Sequence, residues 1–346
     1  MGNANHGRKF DRLYVALVTP YKEGSYEIDE AATRSLLRYY MQPKFVDANG
    51  GIVTNAEAGE VYYLTREEKR RNIEIAIEEC GGKVPVFAGV VAATTKEMVE
   101  TAIDAKNAGV DGIFFIPPIG ALDITSSWDP IRYPEVWMDW VKAIDEAVNL
   151  PIIAHPVAST SPQYGIGLPL ETTKLLCNEI PNIVGWKMTY HYDGYRKVAK
   201  GLRSLDRHVG IFGAPALYMH ENLASGQMDG TVTGSFVYAM EPMIDHIDAW
   251  RRKDIDAAAK IWDSGLADLQ EYVYSEYSRL HVRYKIASWL RGLIPHPFMR
   301  PPLPKPRVEE IQTLTKLLKA MGVSVIDSIE VERVLNKIGY QSPQKV

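Results

Sequence analysis

Cysteine is nearly absent from this chain. Two in 346 residues, Cys80 and Cys177, cannot form a disulfide framework, and they stand too far apart for a local metal knuckle. They read as two reduced thiols of a cytoplasmic protein. Long apolar runs are missing too: no stretch approaches the length that spans a bilayer, so no membrane partner is expected. The polar segment from Met1 to Asp11 has no apolar h-region, and His6 stands where a myristoylation pattern needs serine or threonine. No block of lysine and arginine stands out, and the net charge is −4, so no nucleic-acid partner is expected. A glycine-rich phosphate fingerprint is also lacking. The first strand ends in Val18-Thr19-Pro20-Tyr21, which argues against a doubly wound dinucleotide-binding sheet.

What remains is a chain that is 46% hydrophobic, ample for a full core, in which short apolar runs alternate with segments of helical period. The runs that read as strands are Tyr14–Thr19, Gly51–Thr54, Pro85–Val91, Gly112–Ile116, Pro151–His155, Ile183–Thr189, Gly210–Gly213 and Gly230–Ser235. Thr65-Arg66-Glu67-Glu68 and Thr94-Thr95-Lys96-Glu97 are capping-box sequences, and the helix after Thr65 should stop at Gly81-Gly82. Asn107-Ala108-Gly109-Val110-Asp111-Gly112 and Ser225-Gly226-Gln227-Met228-Asp229-Gly230 echo one another: helix end, glycine stop, and an Asp-Gly turn feeding a strand. Eight such alternations predict a (β/α)8 TIM barrel over residues 1–238. Residues 239–346, with a proline-rich connector at Pro295-His296-Pro297 and Pro301–Pro306 and an amphipathic helix at Val308–Met321, read as a C-terminal helical domain of structural or oligomeric role.

One residue sits oddly in this pattern. Lys187 lies inside the apolar run Ile183-Val184-Gly185-Trp186-Lys187-Met188-Thr189. Burying an unpaired ammonium costs several kcal/mol, so such a lysine either finds a carboxylate or loses its proton. A deprotonated lysine in an apolar pocket is a nucleophile toward ketones. Val184, Trp186 and Met188 are the neighbours expected to desolvate it. In a barrel of this kind the site lies at the C-terminal strand ends, near Lys187, Glu57, Glu60, His155, His191, Asp193 and Gly213.

Here the chain resembles the dihydrodipicolinate synthase / N-acetylneuraminate lyase family, the pyruvate-type class I aldolases. The similar stretches are Val15-Ala16-Leu17-Val18-Thr19-Pro20, Ala58-Gly59-Glu60 with Leu64-Thr65-Arg66-Glu67-Glu68, Val84–Gly89, Asn182–Lys187 and Arg300-Pro301-Pro302-Leu303-Pro304. The resemblance implies that Lys187 condenses with pyruvate or another 2-keto acid to an iminium, in a homo-oligomer (tetramer or dimer), with no cofactor and no metal. Glu57, Ala58, Gly213 and Val232 would then line the substrate.

Departures from the family pattern shape the remaining expectations. Its Gly-Thr-Thr-Gly-Glu turn is here Ala56-Glu57-Ala58-Gly59-Glu60, so backbone donors at Glu57 and Ala58 can persist but the hydroxyls cannot. Glu57 would repel a substrate carboxylate unless turned away, or would serve as general acid or base. The family's relay tyrosine is matched by Ala154; His155, one position on, is the candidate catalytic substitute if Pro156 turns it inward against strand alternation. Tyr164, Tyr190 and His191 are fallback proton carriers. Ser159 replaces an arginine that binds the second substrate in dihydrodipicolinate synthases, and Pro117-Pro118-Ile119-Gly120 replaces a tyrosine pair, so a different substrate is expected. Trp128, Trp186, Tyr190 and Tyr192 could form an aromatic wall. Two other readings compete: a metal site of Glu57, His155, His191 and Asp193, and a non-catalytic keto-acid-binding barrel. Lys285, also in an apolar setting, is expected to be structural.

Overall fold

The alternation of strands and helices closes on itself. In the computed structural model, which describes residues 8–117 and 129–338, eight parallel strands form a closed barrel. They are β1 (Leu13–Ala16), β2 (Gly50–Thr54), β3 (Val86–Val90), β4 (Gly112–Phe115), β5 (Ile152–Ala154), β8 (Ile183–Met188), β9 (Gly210–Gly213) and β10 (Gly230–Thr233). All eight coincide with the runs read from the sequence, most of them a residue or more shorter. Strand β1 pairs with both β2 and β10, which leaves no open edge in the ring. Two short strands not expected, β6 (Val157–Ser161) and β7 (Gly165–Gly167), form an antiparallel hairpin in the loop after β5.

Local chemistry accounts for the punctuation. Thr65 and Glu68 form a reciprocal capping box, 3.2 and 2.8 Å, ahead of the helix Arg66–Cys80, which ends at Gly81 with φ 53°. Thr94 accepts the Glu97 N–H at 3.2 Å at the start of Thr95–Ala108. The internal echo has a physical counterpart. Asp111 Oδ2 accepts the Val86 N–H of β3 at 2.8 Å, and Asp229 Oδ2 accepts the Ile211 N–H of β9 at 2.8 Å. Each aspartate also donates its own N–H to the carbonyl of that same residue at 2.9 Å. The Asp-Gly step thus pins each new strand in register on the one before it.

The lower barrel is filled by rings over glycines. Tyr14 packs edge-on to Phe87, centroids 5.3 Å apart, and beside Phe212 at 5.8 Å. A Cβ at Gly51 would strike the Tyr14 ring, at Gly112 the Phe87 ring, and at Gly185 the Phe212 ring. Glycine is needed there for space rather than for conformation. Cys80 and Cys177 are buried and unpaired, and burial pushes both thiols up to about 12.

The C-terminal helices share the barrel's core. Leu266, Trp289, Ile311, Leu314 and Leu318 belong to one apolar cluster with Tyr14, Phe87 and Phe212. The position between residues 238 and 239 falls inside the helix Phe236–Arg251, beside a kink at Ala239. Among the described residues, no helix is long and apolar enough to cross a membrane.

Two buried charges fasten this region to the loop after β2. Lys285 Nζ lies 2.6 Å from Glu60 Oε1, both side chains fully buried, and the Arg300 N–H reaches Glu60 Oε2 at 2.9 Å. The Arg300 guanidinium grips both oxygens of Glu68 at 2.7 and 2.8 Å. Glu60, Glu68 and Arg300, scattered in sequence, are therefore one clamp. Lys285 takes the structural position expected of it.

Candidate active site

At the C-terminal ends of the strands a cavity of about 220 Å³ opens between the barrel and residues 274–284. Lys187 rises from β8 into it. Alternation along β8 sends Trp186 and Met188 outward into the helix layer, where Trp186 Nε1 donates to Tyr190 Oη at 3.0 Å. These two neighbours therefore do not desolvate the amine, contrary to expectation. Its apolar surroundings come from across the cavity: the Phe114 ring, 5.5 Å from Nζ, with Val232 and Ala16 in the wall. Burial pushes Lys187 down to about 8, against the upward pull of Glu57.

His155 is the residue facing that amine. Its Nε2 lies 3.2 Å from Lys187 Nζ and 2.5 Å from Glu57 Oε2. The imidazole stacks on Phe114, centroids 5.4 Å apart and planes at 23°. No reversal of alternation was needed to bring it inward. Ile153 already packs with the barrel interior and Ala154 with the helix layer, so His155 is the next inward position. The Val157 N–H closes a turn onto the His155 carbonyl at 2.9 Å and leads into β6.

Glu57 comes from a single 3-10 turn, Glu57–Gly59, after β2. Burial alone would raise its pKa. The charge and hydrogen bond of His155, with Lys187 behind, outweigh burial and hold the carboxyl below its usual range. Burial lowers the imidazole of His155, with Glu57 opposing. Near neutral pH the arrangement is an ionised Glu57, a neutral His155 donating from Nε2, and an amine within reach of deprotonation. His155 Nδ1 is buried without a hydrogen-bond partner, so the ring meets the site through its Nε2–H, which holds the Glu57 carboxylate.

The other expected residues divide sharply. Ala58 and Val232 line the cavity. Gly213 does not: a Cβ there would meet Met228 Sδ at 2.6 Å, and Ala214 and Pro215 take the lining positions. Tyr164 and Tyr190 pack against each other among the outer helices. His191 caps Tyr192–Arg203 by accepting the Gly194 N–H at 3.0 Å, and Asp193 follows in that helix's exposed first turn. The four residues of the metal reading thus do not converge. Tyr192 lines a separate surface hollow, so Trp186, Tyr190 and Tyr192 do not build the expected aromatic wall. Trp128, Pro118-Ile119-Gly120 and the side chain of Ser159 lie outside the described residues.

Sequence reasoning missed the wall that is present. Tyr274, Tyr277, His281 and Tyr284 line the cavity from the C-terminal segment, which was read as structural or oligomeric. Tyr274 and Tyr284 share a hydrogen bond of 2.6 Å, and Tyr274 also contacts Thr233 and Ser235 at 3.2 Å. Their spacing of three, four and three residues was the available signal, although the helix breaks at Ser275-Glu276 and only His281 and Tyr284 share one helix, Leu280–Leu290.

Comparison with known proteins agrees with this architecture. The model of the dihydrodipicolinate synthetase family matches residues 9–321. The 4-hydroxy-tetrahydrodipicolinate synthase of Methanopyrus kandleri is 28% identical over 318 residues, 92% of this chain and 98% of that protein. The enzyme of the same name from Bradyrhizobium diazoefficiens is 35% identical over 179 residues, and that match spans about half of each protein, 52% and 54%. A prophage protein of Escherichia coli K12 from the dihydrodipicolinic acid synthase family, solved in complex with pyruvate, superposes with a TM-score of 0.76 at 20% identity, covering 91% of this chain and 99% of that one. With a barrel of matching topology and a family model that spans nearly its whole length, this chain belongs to the dihydrodipicolinate synthetase family.

Proposed function

We propose that this protein is a Schiff-base-forming lyase, an aldolase or hydro-lyase, acting on pyruvate or a related 2-keto acid, and not a true dihydrodipicolinate synthase. The observation that carries the proposal is a desolvated amine, Lys187, held 3.2 Å from His155 Nε2 on the floor of a closed-barrel cavity. The neutral amine attacks the C2 carbonyl, water leaves, and the iminium withdraws electrons from the adjacent carbons. Glu57, held by the Nε2–H of His155, takes a proton from the C4 hydroxyl in an aldol cleavage or from C3 in a dehydration. The same carboxyl then returns the proton, to C3 of the enamine after cleavage or to the departing C4 hydroxide in a dehydration, which leaves as water. The opening turn at Glu57 and Ala58 offers amide N–H groups, free of intrahelical partners, to the keto acid's carboxylate.

Two observations weigh against a dihydrodipicolinate synthase. No arginine lines the cavity among the described residues, and the imidazole of His155 faces the lysine where the family uses a tyrosine. The proposed assembly is a homodimer or homotetramer, on the family resemblance. The test is deuterium exchange at C3 of pyruvate, followed by proton NMR in D2O. Exchange that is lost in Lys187→Ala supports the proposal. Pyruvate binding without exchange would instead favour a non-catalytic binding barrel.

A further inference from the structure

The cavity's charges restrict which keto acids it can hold. Among its described lining residues the one cationic side chain is Lys187, and the segment 118–128, after β4, contains no lysine or arginine. Once the iminium forms, its single positive charge already faces Glu57 and the carboxylate next to the ketone. A second carboxylate on the ligand would enter a buried site with no counter-charge, which is costly. His281 does not supply one, because burial pushes its imidazole down to about 4 and leaves it neutral.

The space beyond the lysine has a definite character. The hydroxyls of Tyr274 and Tyr284 are bonded to each other at 2.6 Å, so those side chains offer ring surface rather than free polar groups. Val157 and Ile166, from the β6–β7 hairpin, face them from the barrel side. His281 lines the same space, and no hydrogen bond occupies either ring nitrogen among the described residues. A cavity of about 150 Å³ suffices for a benzene ring. The roughly 220 Å³ here leaves room for a ring beside the carbonyl end.

Resting on the Schiff-base reading of Lys187, we propose that the substrate is a monocarboxylic 2-keto acid bearing an uncharged aromatic group. The ring lies against Tyr274 and Tyr284, and His281 positions it by a hydrogen bond to a hydroxyl or carbonyl substituent. Dicarboxylic keto acids are excluded.

The test is borohydride trapping on the intact protein with pyruvate, phenylpyruvate and 2-oxoglutarate, reading the concentration that half-saturates adduct formation at Lys187. Phenylpyruvate should half-saturate at least about tenfold below pyruvate, and 2-oxoglutarate at least about tenfold above it. His281→Arg, which adds the missing cation, should bring 2-oxoglutarate down by about tenfold or more. Equal half-saturation for the aryl and dicarboxylic acids would overturn this inference and leave the lysine chemistry standing. No adduct with any of the three, pyruvate included, would remove both. If His281→Arg fails to fold, the three-ligand series on the unaltered protein still decides.

Discussion

Replacing Glu57 with glutamine separates two roles that the site combines. Lys187 titrates at about 8 against an ordinary 10.5. At pH 7 that leaves roughly a tenth of the amine neutral, against roughly one part in three thousand for an unperturbed lysine. The negative charge of Glu57 opposes this shift. Removing its charge must lower the amine further, so the midpoint for iminium trapping should move below pH 8. The same change removes the carboxylate base that His155 Nε2 holds at 2.5 Å. Proton transfer at C3 should then fall by about a hundredfold or more, the usual scale for losing a positioned acid–base group. Glu57→Gln should therefore keep borohydride trapping with pyruvate while losing deuterium exchange. A midpoint that moves upward, or exchange within about threefold of the unaltered protein, would refute the reasoning.

Other consequences follow from the same structure. Lys285→Met leaves Glu60 buried without its partner and should cost about 3–5 kcal/mol in urea unfolding; Lys285→Met with Glu60→Gln should recover part of that loss. Asp111→Ala and Asp229→Ala each strand a strand-end N–H, so each should lose about 1–3 kcal/mol by the same assay. Glu310 has its pKa raised by burial but lowered further by Arg279 and Arg283, giving a net value below its ordinary one. A folded-state value below the unfolded one gives stability that is present above the unfolded carboxylate pKa and is lost as pH falls through the folded one. The Tm advantage of the unaltered protein over Glu310→Gln should accordingly shrink from about pH 6 to about pH 3, and an advantage that grows on acidification would contradict the assignment.

The eight strands were legible because each is a short apolar run, and β3, β4 and β10 are further marked by a cap, a glycine stop or an Asp-Gly step, all of which act locally. Lys187 was legible because a cation inside such a run needs an explanation. The hairpin β6–β7 was not: Ala158-Ser159-Thr160-Ser161 is polar, without the alternation that marks a half-buried strand. His155 was singled out and lines the cavity, but its orientation was argued from the wrong parity. Which of two adjacent residues faces inward depends on the register of β5 in the barrel, and three residues do not reveal it. Gly213 failed for the same reason, with Ala214 in its place. The wall of Tyr274, Tyr277, His281 and Tyr284 depends on how the C-terminal helices dock across the barrel mouth, a long-range packing event. The clamp of Glu60 and Lys285 spans 225 positions and was invisible for that reason.

The central claim is that Lys187 is the nucleophile. The direct measurement is borohydride reduction with pyruvate, followed by mass spectrometry of the proteolysed chain. A reduced adduct is expected on the peptide that carries Lys187, absent without pyruvate and absent in Lys187→Ala. An adduct on Lys285 or another lysine instead, or no adduct at any pH through the amine's titration near 8, would contradict it.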